Sequence, residues 1–369
     1  MGERELHYFA RGNTAAGLHS LMDSVLQGIR TIYVLQGYPG GTAALLGRLA
    51  SEAGRCGWKA QLIHQPLDSD LLEGIILEEL AIGFVDSAAW PSEDREHEGS
   101  ELRFVDLCGA LDYEQLGAAQ ERIISLEQEI ANLYTEAYAT FLHTLRIHDE
   151  WEKFYIDNLN RENMDQLALD LADTYFVRSS TDKQAQSTHR FLGAATWRGA
   201  VDFVPNLTDR LQTRVFVKGR PGSGKSTLFR KLASLAAERG IDTEIYHCGF
   251  DPGSLDMLIF PELDLGIFDS IAPHEHFPVR DGDSILDVYD LAITPGTDEK
   301  YADSIQIIKG RYSASMKQAI ALLAEIKTLT DQLENIYGNA ADQHALSEIE
   351  SALISGIDGV NTAKETVSP

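Results

Sequence analysis

The chain is written twice, and that repetition limits its architecture more than any other feature. His7-Tyr8-Phe9, followed by Thr14 and Gly17, returns as His189-Arg190-Phe191, followed by Thr196 and Gly199, at an offset of 182. The same offset carries Gly37-Tyr38-Pro39-Gly40 onto Gly219-Arg220-Pro221-Gly222. The first copy then lacks one residue, and at an offset of 183 Arg48-Leu49-Ala50-Ser51 lies on Lys231-Leu232-Ala233-Ser234, Asp68 on Asp251, and Asp86-Ser87 on Asp269-Ser270. Asp149, Glu152 and Tyr155 match Asp331, Glu334 and Tyr337 at 182 again. A period this long marks a tandem domain duplication, not a solenoid. In a chain of 369 residues it gives two halves, 1–177 and 189–369, joined over 178–188 by a linker rich in Ser, Thr and Gln.

Each half has the same coarse layout. An apolar strand (Thr31–Gln36; Arg214–Lys218) runs into a Gly-rich turn and a helix. A second strand follows (Ala60–His64; Thr243–Cys248), then a short helix, then a third strand ending in Asp (Ile82–Asp86; Leu265–Asp269). Strand–helix alternation predicts an α/β fold with a parallel sheet covered by helices. Both halves then turn helical. Leu116, Ala119, Ile123, Leu126, Ile130, Leu133 and Ala137 follow a 3-4 spacing, as do Ile305, Ile308, Tyr312, Ala319, Leu322, Ile326, Leu329 and Leu333. Such seams bury against a neighbouring helix, so a long helical hairpin is expected in each half, packed on its sheet or offered to a protein partner or a second copy.

The strongest chemical signal is Gly219-Arg220-Pro221-Gly222-Ser223-Gly224-Lys225-Ser226-Thr227, with strand RVFVK before it and the amphipathic stretch LFRKLASLAAERG after it. This is the GxxxxGK[ST] spacing in the strand–turn–helix context it requires. The glycines let the backbone aim successive N–H groups at phosphate oxygens beside a helix N-terminus. Lys225 adds a charge for the β- and γ-phosphates, and the Ser226 hydroxyl is a ligand for Mg²⁺. Charge agrees: the chain holds 31 Lys and Arg against 57 Asp and Glu, a net charge of −26, yet 209–239 holds eight basic side chains and two acidic ones. A chain this acidic argues against nucleic acid and anionic membranes as partners, so a phosphate site has to be a local exception.

Asp269, at the carboxyl end of an apolar strand about 40 residues on, fits a carboxylate that meets Mg²⁺ through water. His274, Glu275 and His276 follow where open α/β sheets carry their ligands. His274 or Glu275 is a candidate to orient a water or meet the γ-phosphate, set against an inert surface loop. Asp251 either contacts an acceptor or metal or caps the next helix, and DPGSLD favours the cap. In the first half Thr42 and Ala43 stand where Lys225 and Ser226 do. Without that charge and that hydroxyl the first half is expected to be a structural or regulatory copy, able at most to lend Arg11 or Arg48 to the other site.

These motifs resemble the P-loop NTPase superfamily. More closely, the chain is similar to a bacterial family of tandem P-loop ATPase-like proteins sometimes described as nucleotide kinase-like. The resemblance is carried by HRFLGAAT with GAVDFVPNLT, by GRPGSGKST, by PELDLGIFDSIAPH and by HDEWEKFYIDNLN. It implies two tandem P-loop NTPase-like domains and ATP as ligand. The family pattern has both loops intact and a D-x-x-x-P-H segment in each half, from which this sequence departs at Thr42, Ala43 and Trp90.

The expected activity is Mg-dependent ATP hydrolysis at the second half, with Lys225, Asp269 and His274 as catalytic residues, Gly219 to Thr227 around the phosphates, and Ser226 and Asp269 on the metal. Two readings compete with it. A nucleotide or small-molecule kinase would need an Arg-rich lid, and 278–300 offers only Arg280 and Lys300. A nucleotide-controlled interaction protein would bind ATP with negligible turnover. Cys56, Cys108 and Cys248 form no CxxC pair, which argues against a disulfide framework or zinc finger and for a reducing compartment. With no apolar run after the charged N-terminus and none of membrane-spanning length, the expectation is a cytoplasmic protein.

Overall fold

A computed structural model describes residues 5–90, 99–176 and 183–365. The first half runs β1 (Leu6–Phe9), β2 (Arg11–Thr14), β3 (Gly17–Ser20), α1 (Met22–Val25), β4 (Thr31–Gln36), α2 (Gly41–Cys56), β5 (Ala60–His64), β6 (Leu72–Leu77), β7 (Ile82–Asp86) and β8 (Glu101–Asp106). Helices α3 (Tyr113–Ala118), α4 (Gln120–Ile156) and α5 (Arg161–Tyr175) close it. The second half repeats the order with β9 (Ser187–Phe191), β10 (Gly193–Thr196), β11 (Gly199–Asp202), α6 (Val204–Thr208), β12 (Thr213–Lys218), α7 (Lys225–Glu238), β13 (Thr243–His247), β14 (Leu255–Phe260), β15 (Leu265–Asp269) and β16 (Asp283–Asp287). It ends in α8 (Val288–Ala292), α9 (Thr297–Lys300), α10 (Ala302–Asn339) and α11 (Gln343–Glu365).

Twelve strands form one mixed sheet in the order β16-β12-β15-β14-β13-β9-β1-β5-β6-β7-β4-β8. The halves meet edge to edge where β1 pairs antiparallel with β9 through Phe9 and Phe191. The contact is this one residue pair, and beside it the His7 N–H donates to Asn206 and the His189 N–H to Ser24, so side chains of the opposite half take up edge N–H groups of both strands. One expectation is corrected here: the short helix between the second and third strands of each half is a strand. β6 and β14 run antiparallel to both neighbours, so the sheet is not wholly parallel. Every residue of β6 is buried, and such two-faced apolar segments carry no alternation to separate strand from helix. β8 and β16 are also strands that the sequence reading did not place.

The helical hairpins are corrected too. Each long helix finds its partner in the other half, α4 lying along α10. Phe141 and Ala137 are buried there with Ala319, Leu322, Leu323 and Ile326, and Ile123 and Leu126 with Leu329 and Leu333, so the sequence seams are filled within the chain. The second helices exchange as well. α5 sets Met164, Ala168 and Ala172 against Leu228, Phe229 and Leu232 of α7, while Leu346 and Leu353 of α11 join the first-half core with Leu45 and Leu49 of α2. Part of the expected linker, 178–182, falls outside the described residues, and Ser187 and Thr188 belong to β9. No helix among the described residues is long and apolar enough to cross a membrane.

Candidate functional site

The Gly-rich loop joins β12 to α7. Gly222 and Gly224 take positive φ values of 74° and 90°, which the tight reversal requires and side chains resist. The buried Lys225 opens the helix and folds back into the loop, its ammonium donating to the Arg220 carbonyl at 2.9 Å. It also lies 3.6 Å from Asp269. β12 pairs directly with β15, Val217 opposite Asp269, and this register brings lysine and carboxylate together. Burial raises the Asp269 pKa, and Lys225 works against that rise. One oxygen of Asp269, Oδ1, is buried with no hydrogen-bond partner. Ser226 keeps its hydroxyl at the start of α7, where the oxygen accepts the Leu255 N–H at 3.0 Å. Arg220 turns away to pair with Asp298 at 2.9 Å, and Thr227 is exposed.

The other half covers this loop. The Gly222 N–H donates to the Glu152 carboxylate of α4 at 3.1 Å. A Cβ on Gly222 would come within 2.5 Å of the Glu152 carbonyl oxygen, so only glycine admits the helix. Burial raises the Glu152 pKa, as does the charge of Asp149, while the Gly222 N–H and Lys225 lower it. Among the described residues His148, Asp149 and Glu152 form one group of possible metal ligands, within 4.8 Å of one another. The sequence showed Asp149 and Glu152 as members of the repeat and within HDEWEKFYIDNLN, with no role attached to either. Their copies Asp331 and Glu334 sit on α10, and Glu334 lies over Gly40 as Glu152 lies over Gly222.

His274 is held by Asp202 at 3.1 Å, and His276 reaches the same carboxylate at 3.0 Å. Burial works to lower the His274 pKa, but the Asp202 hydrogen bond and the charges of Asp256, Asp202 and Asp269 raise it on balance. Burial disfavours charge on Asp202 too, yet the two imidazoles hold it well below the usual carboxylate range. Asp202, within GAVDFVPNLT, and Asp256, on β14, were not singled out because neither stands at a spacing that names a chemistry. Glu275 faces Lys218 at 3.3 Å. Asp251 caps a turn, accepting the Gly253 N–H at 3.1 Å, and the element that follows is β14, which corrects the helix cap. In 278–300, Arg280 donates to the carbonyls of Thr208, Asp209 and Leu211, so it braces a loop and is no lid arginine.

The first-half loop is closed by its own side chains. Tyr38 is buried, and a Cβ on Gly41 would fall 2.5 Å from its ring. Burial raises the Asp86 pKa, and the Ala88 N–H, which donates to it at 2.8 Å, works against that rise with Arg11 and Thr42. Neither arginine considered for the other site is near it: Arg11 pairs with buried Glu73 at 2.7 Å, and Arg48 with Glu350 of α11 at 2.5 Å. Comparison with known protein families, curated proteins and solved structures gives no match for this chain.

Proposed function

We propose that the second half is an ATP-binding P-loop site that hydrolyses Mg-ATP slowly, and that the first half is a degenerate copy which closes over it. On this reading 1–177 and 189–369 are tandem P-loop NTPase-like domains. The observation that carries it is the buried Lys225 ammonium, held between the Arg220 carbonyl and an Asp269 carboxylate with one unpartnered oxygen. A buried cation and a half-satisfied acid at a helix N-terminus are costly unless a ligand completes them. The Gly222 N–H already holds an anionic oxygen, that of Glu152, which supports the loop as an anion cradle.

The backbone N–H groups of 219–227 and Lys225 would hold the β- and γ-phosphates, and Arg220, released from Asp298, is the exposed cation of the loop. Ser226 and Asp269 are the residues that would hold Mg²⁺, and the orphan Asp269 oxygen fits that task; the ion would neutralise charge on the phosphates. His274, positioned by Asp202, is the candidate to orient the attacking water. That water forms the new bond to the γ-phosphorus as the bond to the ADP oxygen breaks.

Single-turnover mixing with Mg-ATP tests this reading. Phosphate release with no added acceptor, lost in Asp269→Asn, supports hydrolysis. ATP held for hours without turnover would favour the nucleotide-controlled interaction protein, and release only with an added nucleoside or nucleotide would favour the kinase.

A further inference from the structure

The hairpin β2–β3 ends in Ala15, Ala16 and Gly17, and it is fastened to the other half, the Ala15 N–H donating to the Phe250 carbonyl at 2.9 Å. The copy hairpin β10–β11 does the same in reverse, Trp197 N–H to the Leu67 carbonyl at 3.0 Å. The molecule thus holds two versions of one corner, and they differ in what fills them. Beside the degenerate loop the corner is filled by the chain itself. Arg198 lies over the Trp197 ring at 4.6 Å and pairs with Asp70 at 2.5 Å, and Lys327 of α10 pairs with Asp68 at 3.3 Å.

Beside the intact loop four of those five groups give way, while Tyr138, Leu142 and Phe250 stand where the copy has Ile320, Ala324 and Leu67. Ala15 replaces Trp197, Ala16 replaces Arg198, Leu145 replaces Lys327, and Gly253 replaces Asp70. The acid of Asp68 alone is kept, as Asp251. What remains is an open cleft of about 610 Å³ between the hairpin tip, the Tyr138, Leu142 and Leu145 face of α4, and the Asp251 turn. That volume lies within the range of small-molecule sites, apolar with few polar groups. Asp251 has one oxygen on the Gly253 N–H and, among the described residues, no Lys or Arg within ion-pair distance. The cleft borders the loop region: Arg230 of α7 donates to the Gly253 carbonyl, and the charge of Asp251 acts on Glu152.

We propose that this cleft binds a small molecule with a planar aromatic ring and a cationic nitrogen, the ring lying where the copy holds its indole and the cation pairing with Asp251. The degenerate copy carries its own stand-in for that ligand in Trp197 and Arg198. The proposal goes beyond nucleotide binding and does not depend on it.

The test is a fluorescence titration of the full chain with p-aminobenzamidine, against the neutral isostere 4-aminobenzamide. Wild type is expected to favour the cation by about tenfold, the worth of one charge-assisted hydrogen bond. Asp251→Asn should erase that preference, and the double substitution A15W/A16R, which rebuilds the copy's filling, should abolish binding of both probes. Melting curves check that each variant is folded. No preference in wild type, a preference that survives Asp251→Asn, or binding that survives A15W/A16R in folded protein would overturn the proposal. Mg-ATP is titrated in parallel, so failure of the P-loop reading appears separately.

Discussion

At the residue scale, the proposed function sets two anions against each other for one N–H group. Glu152 holds the Gly222 N–H, and on the proposed function a phosphate oxygen of the nucleotide would have to displace it. Glu152→Gln keeps the shape and removes the charge, and it should tighten Mg-ATP about three- to tenfold, from roughly 1 kcal/mol of lost competition. Equilibrium titration of both proteins checks this. The paired histidines give a second prediction. His7 meets His64 at 2.9 Å and His189 meets His247 at 2.8 Å, the same contact in each half. Burial pushes the His64 pKa down to about 4, with His7 adding to the fall. The unfolded chain takes up that proton near 6.5, so stability drops as pH falls below 6.5 and keeps dropping toward 4. From His64 alone the loss is about 2 kcal/mol between pH 7 and 5. Urea unfolding at both pH values should show it, and His64→Gln should flatten the slope. The strand–turn–helix form of the loop could be read from sequence because its glycines mark the turn. Asp202 and Glu152 could not, since each works through a partner about 70 residues away.

At the element scale, the strands flanked by turn residues were legible: β4, β5, β7 and β15 have the bounds that the sequence predicts. β6 and β14 were not, because the sheet buries both of their faces and leaves no period to read. The first-half loop keeps the form of the second without its lysine and serine. It retains strand, turn and helix, but Tyr38 is buried against it and the Ala88 N–H already donates to Asp86. Restoring the residues alone, in T42K/A43S, is therefore expected to add no second Mg-ATP site. Calorimetric stoichiometry of that variant decides the matter, and a rise from one site to two would refute the idea that the loop is blocked by shape as well as chemistry.

At the scale of the whole molecule, the duplication is a domain-swapped pair within one chain. The sequence showed the two copies; it could not show that their helices trade places, since a 3-4 seam fits any apolar partner. α5 covers α7, α11 covers α2, and α4 lies along α10. A protease site inserted in 178–182 should then leave two fragments that elute together and melt in one transition; fragments that separate without denaturant would contradict an exchanged core.

The claim that one half binds and the other only closes is tested most directly by calorimetric titration of Mg-ATP into the full-length chain and its Lys225→Ala variant. One site per chain, weakened at least about tenfold in the variant, is the predicted result. Two sites per chain, or one that survives loss of Lys225, would contradict it.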